Sequence, residues 1–148
     1  MDISSVINES KINLKLDAHD KDEVLSAMVD MLVEAGDVNS KEEFIKDVYY
    51  RESEGETGIG DGIAIPHGKS HSVVKTSLAM ARTLEPVEWE TLDGKPVRFI
   101  ILFAVRDIDK TTVHIKLLSE VATKLADEEV LDKLLTSDTP TEIISIFN

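Results

Sequence analysis

Five of the seven glycines in this chain lie in residues 55–70, which read GETGIGDGIAIPHGKS. In this stretch Pro66 precedes His67, and Gly68 follows it. Proline fixes its own φ and has no backbone donor, whereas glycine adopts conformations that are closed to other residues. The stretch then predicts a single exposed histidine on a rigid mount, a nitrogen nucleophile with an open approach. From the residues alone, a tight turn that happens to carry a histidine explains the stretch equally well.

Two other chemistries explain the glycine-rich stretch less well. A phosphate-binding P-loop has four residues between its two glycines before the Lys-Ser pair, whereas five residues, IAIPH, separate them here. A metal-dependent hydrolase would use His67 and His71, with Asp61 as a third ligand. Pro66 and Gly68 argue against a helix that would place the two histidines on one face, and no glutamate lies between them. The hydrolase is the alternative from another class of function.

The composition narrows the class of protein. The 148 residues carry 16 basic and 29 acidic side chains, for a net charge of −13, and no cysteine. Such a charge argues against nucleic acid and against an anionic membrane surface as partners, and it suits a basic protein partner or a well-solvated surface. The absence of cysteine excludes thiol chemistry and disulfides. We expect one domain over residues 1–148, without a signal peptide or membrane span, in the cytoplasm.

Helix caps and hydrophobic periodicity predict the elements that precede the histidine. Asp20 and Ser40, each followed by a glutamate three residues later, predict the starts of two helices. Gly36 would end the first of them. Ile63 and Ile65 predict a short strand that anchors the histidine in the core.

The second half of the chain alternates strand and helix signals. Residues 76–84 and 98–106 predict two buried strands. A third helix would begin near Thr111 or Thr112, and the last would begin after Thr139. Helices before, between and after strands predict an α/β fold, a single-domain layered sandwich in which a mixed β-sheet is flanked by α-helices.

Residues 52–68 resemble the phosphorylation-site signature of the fructose/mannitol-type enzyme IIA of the bacterial sugar phosphotransferase system. The signature is an acidic or amide residue, six free positions, an apolar residue and a glycine, two free positions, and then apolar-Ala-apolar-Pro-His-small. Its defined positions are occupied here by Glu52, Ile59, Gly60, Ile63, Ala64, Ile65, Pro66, His67 and Gly68. The resemblance continues through YYRESEGETGIGDG, WETLDGKPV and HIKLLSEVA.

The resemblance implies a phosphotransferase that needs no cofactor and no metal. It implies that His67 accepts a phosphoryl group through Nε2 from the carrier protein HPr and passes it to a IIB domain, which acts with a membrane IIC protein. A neutral imidazole has a usable lone pair near pH 7 because its ordinary pKa is about 6.5, so it needs no separate base. We expect the opposite ring nitrogen to donate to a backbone carbonyl, which fixes the tautomer. Phosphoryl transfer then depends mainly on positioning and on charge stabilisation.

His114 is the predicted source of part of that stabilisation. It falls in the first turn of the third helix, where free amides and the helix dipole favour an anion. It also shares an inward-facing stripe with Leu118 and Val121. Position alone favours a hydrogen-bonded core histidine. The resemblance, however, places a second active-site histidine in the matching segment.

Arg51 is the predicted contact for the phosphate or the partner. It extends the apolar stripe of the second helix at the helix end, where a guanidinium would pair with phosphate oxygens. A solvated arginine that interacts with the helix C-terminus is the alternative. The resemblance places an arginine at the matching position. Glu52, Glu54 and Glu56 crowd the region, and we expect them to face a basic carrier.

Two branches of the family fit the signature. Trp89 in WETLDGKPV, together with HIKLLSEVA, favours the sugar-transport branch and its fructose class. The alternative is the nitrogen-type regulatory IIA, which shares the signature and acts on other proteins through its phosphorylation state. The sequence does not identify the sugar.

Overall fold

The computed structural model describes residues 3–109 and 112–148. Its strands are β1 (Ile12–Leu16), β2 (Gly58–Gly60), β3 (Ile63–Ala64), β4 (His67–Ser70), β5 (Ser77–Val87) and β6 (Val97–Arg106). Its helices are α1 (Lys21–Glu34), α2 (Lys41–Glu52), α3 (Val113–Leu125), α4 (Glu128–Thr136) and α5 (Pro140–Phe147). Short 3-10 turns cover Ile3–Ser5, Glu9–Lys11 and Asp107–Asp109. No helix within these described ranges has the length and apolar character needed to cross a bilayer.

Within the described residues, six strands form a mixed sheet. Its order is β1-β5-β6-β3-β2, and β4 also pairs with β6. Strands β5 and β6 are antiparallel, whereas β1 runs parallel to β5. Strands β3 and β4 both run parallel to β6, one after the other along its second edge. The predicted α/β fold, a mixed sheet flanked by helices, is confirmed.

Alternating side chains of β6 pack against helices on both faces of the sheet. Ile100 and Leu102 pack in the cluster formed with α1 and α2, whereas Ile101 and Phe103 pack in the cluster formed with α3, α4 and α5. All four side chains are fully buried. A strand with both faces covered reads as a continuous apolar run, which is why β6 was predictable. Strand β6 is therefore a rigid template for the shorter strands beside it.

The helix caps lie where the sequence predicts them. The Asp20 carboxylate accepts a hydrogen bond from the Glu23 amide at 2.8 Å, and the Ser40 hydroxyl accepts one from the Glu43 amide at 3.3 Å. Gly36, at φ +81°, follows the end of α1 in the left-handed region that favours glycine.

Strands β1, β2 and β4 are not predicted by the sequence pattern. Strand β4 reads HGKS, and its pairing with β6, rather than its own propensity, makes it a strand. The strand predicted at Ile63 ends at Ala64, so Ile65 does not continue it. Thr112 occupies the N-cap position of α3 but makes no side-chain capping hydrogen bond. Thr111, the other predicted cap, lies outside the described residues.

Gly68 allows α2 to lie directly against β4. A Cβ added at Gly68 would lie 2.9 Å from Phe44 Cε1 and 2.9 Å from Val48 Cγ2. Interiors are packed too closely for either helix side chain to give way freely, so a larger residue would push α2 from the sheet. The space beside the Gly68 backbone is therefore filled by α2.

We therefore expect Gly68→Ala to lower the free energy of unfolding by about 1–3 kcal/mol, because the new methyl group overpacks the contact with α2. Val48→Ala removes one of the two steric conflicts. The double variant should consequently be more stable than the sum of the two single effects predicts. Urea unfolding of the four proteins measures this coupling, and strictly additive losses would contradict the close packing.

Candidate active site

Strand β4 begins with His67 and is held against β6. The backbone amide of Phe103 in β6 donates to the carbonyl of Pro66 at 3.0 Å, and His67 is paired with Phe103 in the ladder. Because β6 is buried on both faces, the backbone of His67 cannot shift without disturbing the core. The backbone that carries the imidazole is therefore held firmly, but the expectation that His67 is exposed is wrong, because only 6% of the residue is exposed.

Both ring nitrogens of His67 lie at hydrogen-bonding distance from protein groups. Nδ1 lies 3.2 Å from the carbonyl oxygen of Ile65, and Arg51 Nε donates to Nε2 at 3.0 Å. A guanidinium has only donors, so Nε2 must be the unprotonated nitrogen. Nδ1 then carries the proton and donates it to Ile65. These two contacts fix one tautomer, with the lone pair on Nε2.

The surroundings of His67 favour its neutral form. The residue is 6% exposed, and burial lowers the pKa of the imidazole below its ordinary value. The positive charges of Arg51 and Lys69 lower the pKa further, while the hydrogen bond to Ile65 acts in the opposite direction and is outweighed. At neutral pH Nε2 is therefore a nucleophile rather than an imidazolium donor.

Arg51 reaches the imidazole from the last turn of α2. Its Nη1 also donates to the carbonyl of Gly55 at 3.1 Å, so the guanidinium is held at two points. The close approach of α2 to β4 at Gly68 brings this turn within reach of His67. A solvated helix-end arginine does not describe these contacts. Because Arg51 Nε donates its hydrogen bond to the lone pair of His67 Nε2, the guanidinium must move before Nε2 can attack an electrophile.

His114 lies beside His67 in the first turn of α3. The two ring centroids are 4.9 Å apart, and Phe103 lies 6.3 Å from both in edge-on arrangements. Burial, followed by the positive charge of a protonated His67 and of Lys69 and Arg51, lowers the pKa of His114 to about 4. The second imidazole is therefore also neutral at neutral pH.

The buried Nδ1 of His114 has no hydrogen-bond partner. A buried N–H without an acceptor is rarer in proteins than an acceptor without a donor, so the proton belongs on Nε2. The alternative of a hydrogen-bonded core histidine does not fit this unpartnered nitrogen. The two histidines thus have opposite tautomers: His67 offers a lone pair on Nε2, and His114 offers an Nε2–H donor.

A cleft of about 270 Å³ opens beside the imidazole of His67. Its lining residues are Asp47, Tyr50, Arg51, Glu54, His67, Lys69 and Asp107. Large apolar side chains are exposed close by in the sequence: Tyr50 is 68%, Ile108 78% and Ile115 62% exposed. The candidate site therefore combines two neutral histidines, two cations, three carboxylates and the exposed ring of Tyr50.

The three glutamates near the site do not behave alike. Glu54 lines the cleft and is exposed, as is Glu56. Only 5% of the Glu52 side chain is exposed, and its Oε1 pairs with Lys21 Nζ at 2.8 Å. The expectation that Glu52 faces a carrier is wrong, because its carboxylate is turned into the protein.

The three side chains of the alternative metal site, His67, His71 and Asp61, do not form a set of metal ligands in the folded chain. His71 is exposed and pairs with Asp107 at 3.1 Å, while the Asp61 amide donates to Asp93 at 3.1 Å in a left-handed turn. Nε2 of His67 faces the Arg51 cation. Among residues 3–109 and 112–148, no three His, Cys, Asp or Glu side chains form a group that could hold a metal ion.

The structure brings together the three predicted side chains, His67, His114 and Arg51. The expected backbone carbonyl beside the second ring nitrogen is that of Ile65; the sequence did not identify the residue, since a backbone acceptor has no residue signature. The sequence also indicated no role for Lys69, which is exposed, lines the cleft and lowers the pKa of both histidines. Alternation along HGKS, had β4 been predicted as a strand, would have placed Lys69 on the same side as His67.

The family model described as "Phosphoenolpyruvate-dependent sugar phosphotransferase system, EIIA 2" matches residues 5–148. The fructose-specific EIIABC component of Bacillus subtilis (strain 168) is 34% identical over 148 residues, which are 100% of this chain and 23% of that protein. The 2-O-alpha-mannosyl-D-glycerate-specific EIIABC component of Escherichia coli (strain K12) is 33% identical over 146 residues, 98% of this chain and 22% of that protein. The chain thus spans less than a quarter of the length of these relatives.

The crystal structure of the nitrogen regulatory protein IIA-Ntr from Neisseria meningitidis has a similar fold. Its TM-score is 0.91 at 30% identity, and the match covers 99% of both chains. The family resemblance seen in residues 52–68 is confirmed by the family-model match, and the similar structure extends it to nearly the whole chain.

The burial of His114 predicts a pH dependence of stability. Its pKa is about 4 in the folded chain, against an ordinary value of 6.5. Between these values the unfolded state binds more protons, so this residue's contribution is present above about pH 6.5 and is lost as the pH falls towards about 4. The loss should be about 3 kcal/mol. Replacing His114→Phe should remove that part of the pH dependence.

Urea unfolding of both proteins at about pH 4 and about pH 7 measures the effect. His19→Gln is the matched control, because 67% of the His19 side chain is exposed. A His114→Phe variant whose stability falls with pH as steeply as that of the wild type would refute the assignment.

Proposed function

Because the chain belongs to the EIIA 2 family of the phosphoenolpyruvate-dependent sugar phosphotransferase system, whose members are phosphotransferases that carry phosphate on histidine, we propose that it is a phosphoryl carrier that accepts phosphate on Nε2 of His67. One observation carries the proposal. The proton of the imidazole is held on Nδ1 by the Ile65 carbonyl, which leaves a lone pair on Nε2 between Arg51 and His114.

The donor in this proposal is the phosphohistidine of HPr, and the acceptor is a IIB domain, with a membrane IIC protein reached only through IIB. Residues 1–148 act as one IIA domain. The net charge of −13 suits a basic protein partner and not nucleic acid.

The transfer moves one phosphoryl group and no proton at His67. Arg51 first swings away from Nε2, and Nε2 then attacks the phosphorus while the bond to the donor nitrogen breaks and its electron pair returns to the donor imidazole. Nδ1 keeps its proton throughout, because the Ile65 carbonyl holds it. The reverse order of events passes the group to IIB. Positioning and charge stabilisation are the main requirements of such a loose transition state.

The phosphoryl oxygens would find donors on both sides of the imidazole. The guanidinium of Arg51, displaced from Nε2, remains beside the new N–P bond and can donate to two oxygens. His114 can donate from Nε2, since its proton has no use at the buried Nδ1. A buried dianion without such partners would be very costly. Lys69 adds positive charge at the cleft.

Docking of the partner would use Tyr50, which lines the cleft and is 68% exposed. Ile108 and Ile115, exposed by 78% and 62%, directly follow Asp107 and His114 in the sequence and would extend that surface. Asp47 and Glu54 add negative charge at the cleft and suit a basic partner.

The sugar-transport branch, in its fructose class, is the function we favour within the family. It is supported by the 34% identity to the fructose-specific component over the whole chain. The nitrogen-regulatory branch is the second candidate, and the TM-score of 0.91 to IIA-Ntr favours it. Trp89 is 7% exposed, so it does not distinguish the two branches by direct contact with a partner.

Incubation with phosphoenolpyruvate, the general enzyme of the system and HPr should add about 80 Da to the wild type as an acid-labile adduct. His67→Ala should gain nothing. His114→Ala should gain the adduct about 10²-fold more slowly, because one donor to the transferring group is lost. Intact-mass spectrometry in a time course measures all three.

An alanine variant at position 67 that gains the adduct as fast as the wild type would refute the acceptor. The phosphorylated chain is then mixed with a fructose-type IIB domain. Passage of the group to IIB supports the sugar branch, whereas stable phosphorylation with every IIB tested supports the regulatory branch.

A further inference from the structure

The hydroxyl of Thr57 is buried and connects two residues near the site, Glu52 and Trp89, by hydrogen bonds. Thr57 is 2% exposed. Its Oγ1 donates to Glu52 Oε1 at 2.9 Å and accepts from Trp89 Nε1 at 3.2 Å. A buried hydroxyl with both its donor and its acceptor function used is fixed in orientation.

The backbone of Thr57 connects to the hydrogen bond that fixes the tautomer of His67. Its carbonyl accepts from the amide of Ile65 at 2.9 Å. The carbonyl of the same Ile65 accepts from Nδ1 of His67 at 3.2 Å. Trp89 anchors Thr57 from the other side. The position of the Nδ1 acceptor therefore depends on where Thr57 is held.

The side chain of Thr57 connects to the other partner of the imidazole. Glu52 is the last residue of α2 and directly follows Arg51, which donates to Nε2. The Glu52 carboxylate also pairs with Lys21 Nζ, which lies 5.1 Å over the ring of Trp89 and pairs with Glu90 at 2.8 Å. This cluster of charged and polar groups ties the end of α2 to residues 57–65.

The arrangement is more than a cap on a helix end. Oε2 of Glu52 is buried without a partner, so the carboxylate is held in an incompletely satisfied position. For stability alone, apolar packing would serve as well as a buried charge network. The network instead fixes the positions of the Ile65 carbonyl and the Arg51 guanidinium. These two groups bond to the two different nitrogens of the His67 imidazole.

We propose that Thr57 is a positioning residue for phosphoryl transfer, which keeps the proton of His67 on Nδ1 by holding the segment that ends in Ile65 and the helix end that carries Arg51. This role rests on the proposed function for its effect on transfer, but its effect on the tautomer does not. Thr57 touches neither the phosphoryl group nor the imidazole.

Thr57→Val removes the hydroxyl and keeps the shape of the side chain. Without the hydrogen bond to Glu52, the Ile65 carbonyl and the Arg51 guanidinium should become more mobile. His67 should then populate a second tautomer with the proton on Nε2. Correlation of ring protons with ¹⁵N in the unphosphorylated protein measures the tautomer. Phosphoryl acceptance from HPr should slow about tenfold. Thr57→Ser should restore both the wild-type tautomer and the wild-type rate.

Thr83→Val is the matched control. Thr83 is fully buried, and its hydroxyl donates to the carbonyl of Glu85 at 2.6 Å towards the end of β5 that lies away from the site. It should lose stability without changing the tautomer or the rate. Trp89→Phe, which removes the indole N–H together with part of the ring, provides a second variant if Thr57→Val does not fold, and it should shift the tautomer in the same direction.

Thr57→Val, or Trp89→Phe in its place, with the proton still on Nδ1 and an unchanged rate overturns the positioning role. So does a Thr83→Val variant that alters His67 equally, because the effect would then follow from lost stability. The tautomer measurement needs no phosphoryl donor. If the wild type accepts no phosphate, the proposed function fails, and the spectra still decide whether Thr57 positions the imidazole.

Discussion

The site depends on two hydrogen bonds to one imidazole, with a donor at one nitrogen and an acceptor at the other. Arg51 Nε donates to Nε2 of His67, and the Ile65 carbonyl accepts from Nδ1. A guanidinium cannot accept and a carbonyl cannot donate, so the pair of contacts permits one neutral tautomer. Other elements of the fold position the groups that make these two hydrogen bonds. Strand β6 fixes the backbone of His67, and Gly68 brings α2 near enough for Arg51 to reach the ring.

The same arrangement is a resting state that must open. Arg51 bonds the nitrogen that the proposed transfer requires, so in this proposal a docking partner displaces the guanidinium before transfer. Burial keeps His67 and His114 neutral, which preserves a lone pair on the first ring and leaves an N–H on the second. In the proposed phosphorylated state, these groups and Lys69 would lie near a dianion in a partly desolvated cleft, where hydrogen bonds and charges act strongly. No metal ion is required by this account.

The sequence predicts the parts of this structure that have local signals. Capping residues such as Asp20 and Ser40 and the apolar run of β6 define helices and a buried strand, and the residues around His67 identify the family. Strand β4 has no such signal, because pairing with β6 makes it a strand. The burial of Glu52 is not predictable for a related reason. Its partner Lys21 is 31 residues away in the sequence, and its other partner, Thr57, is uncharged. The acceptor for Nδ1 is a backbone carbonyl, that of Ile65, and residue types do not show which backbone carbonyl will lie beside the ring.

The most direct test of the account is to identify the ring nitrogen that carries phosphorus in the phosphorylated chain. NMR of protein labelled with ¹⁵N in its histidines resolves the phosphorus–nitrogen coupling. The account predicts coupling at Nε2 of His67, with Nδ1 still protonated and bonded to Ile65. Phosphorus on Nδ1, or on any other residue, would contradict it.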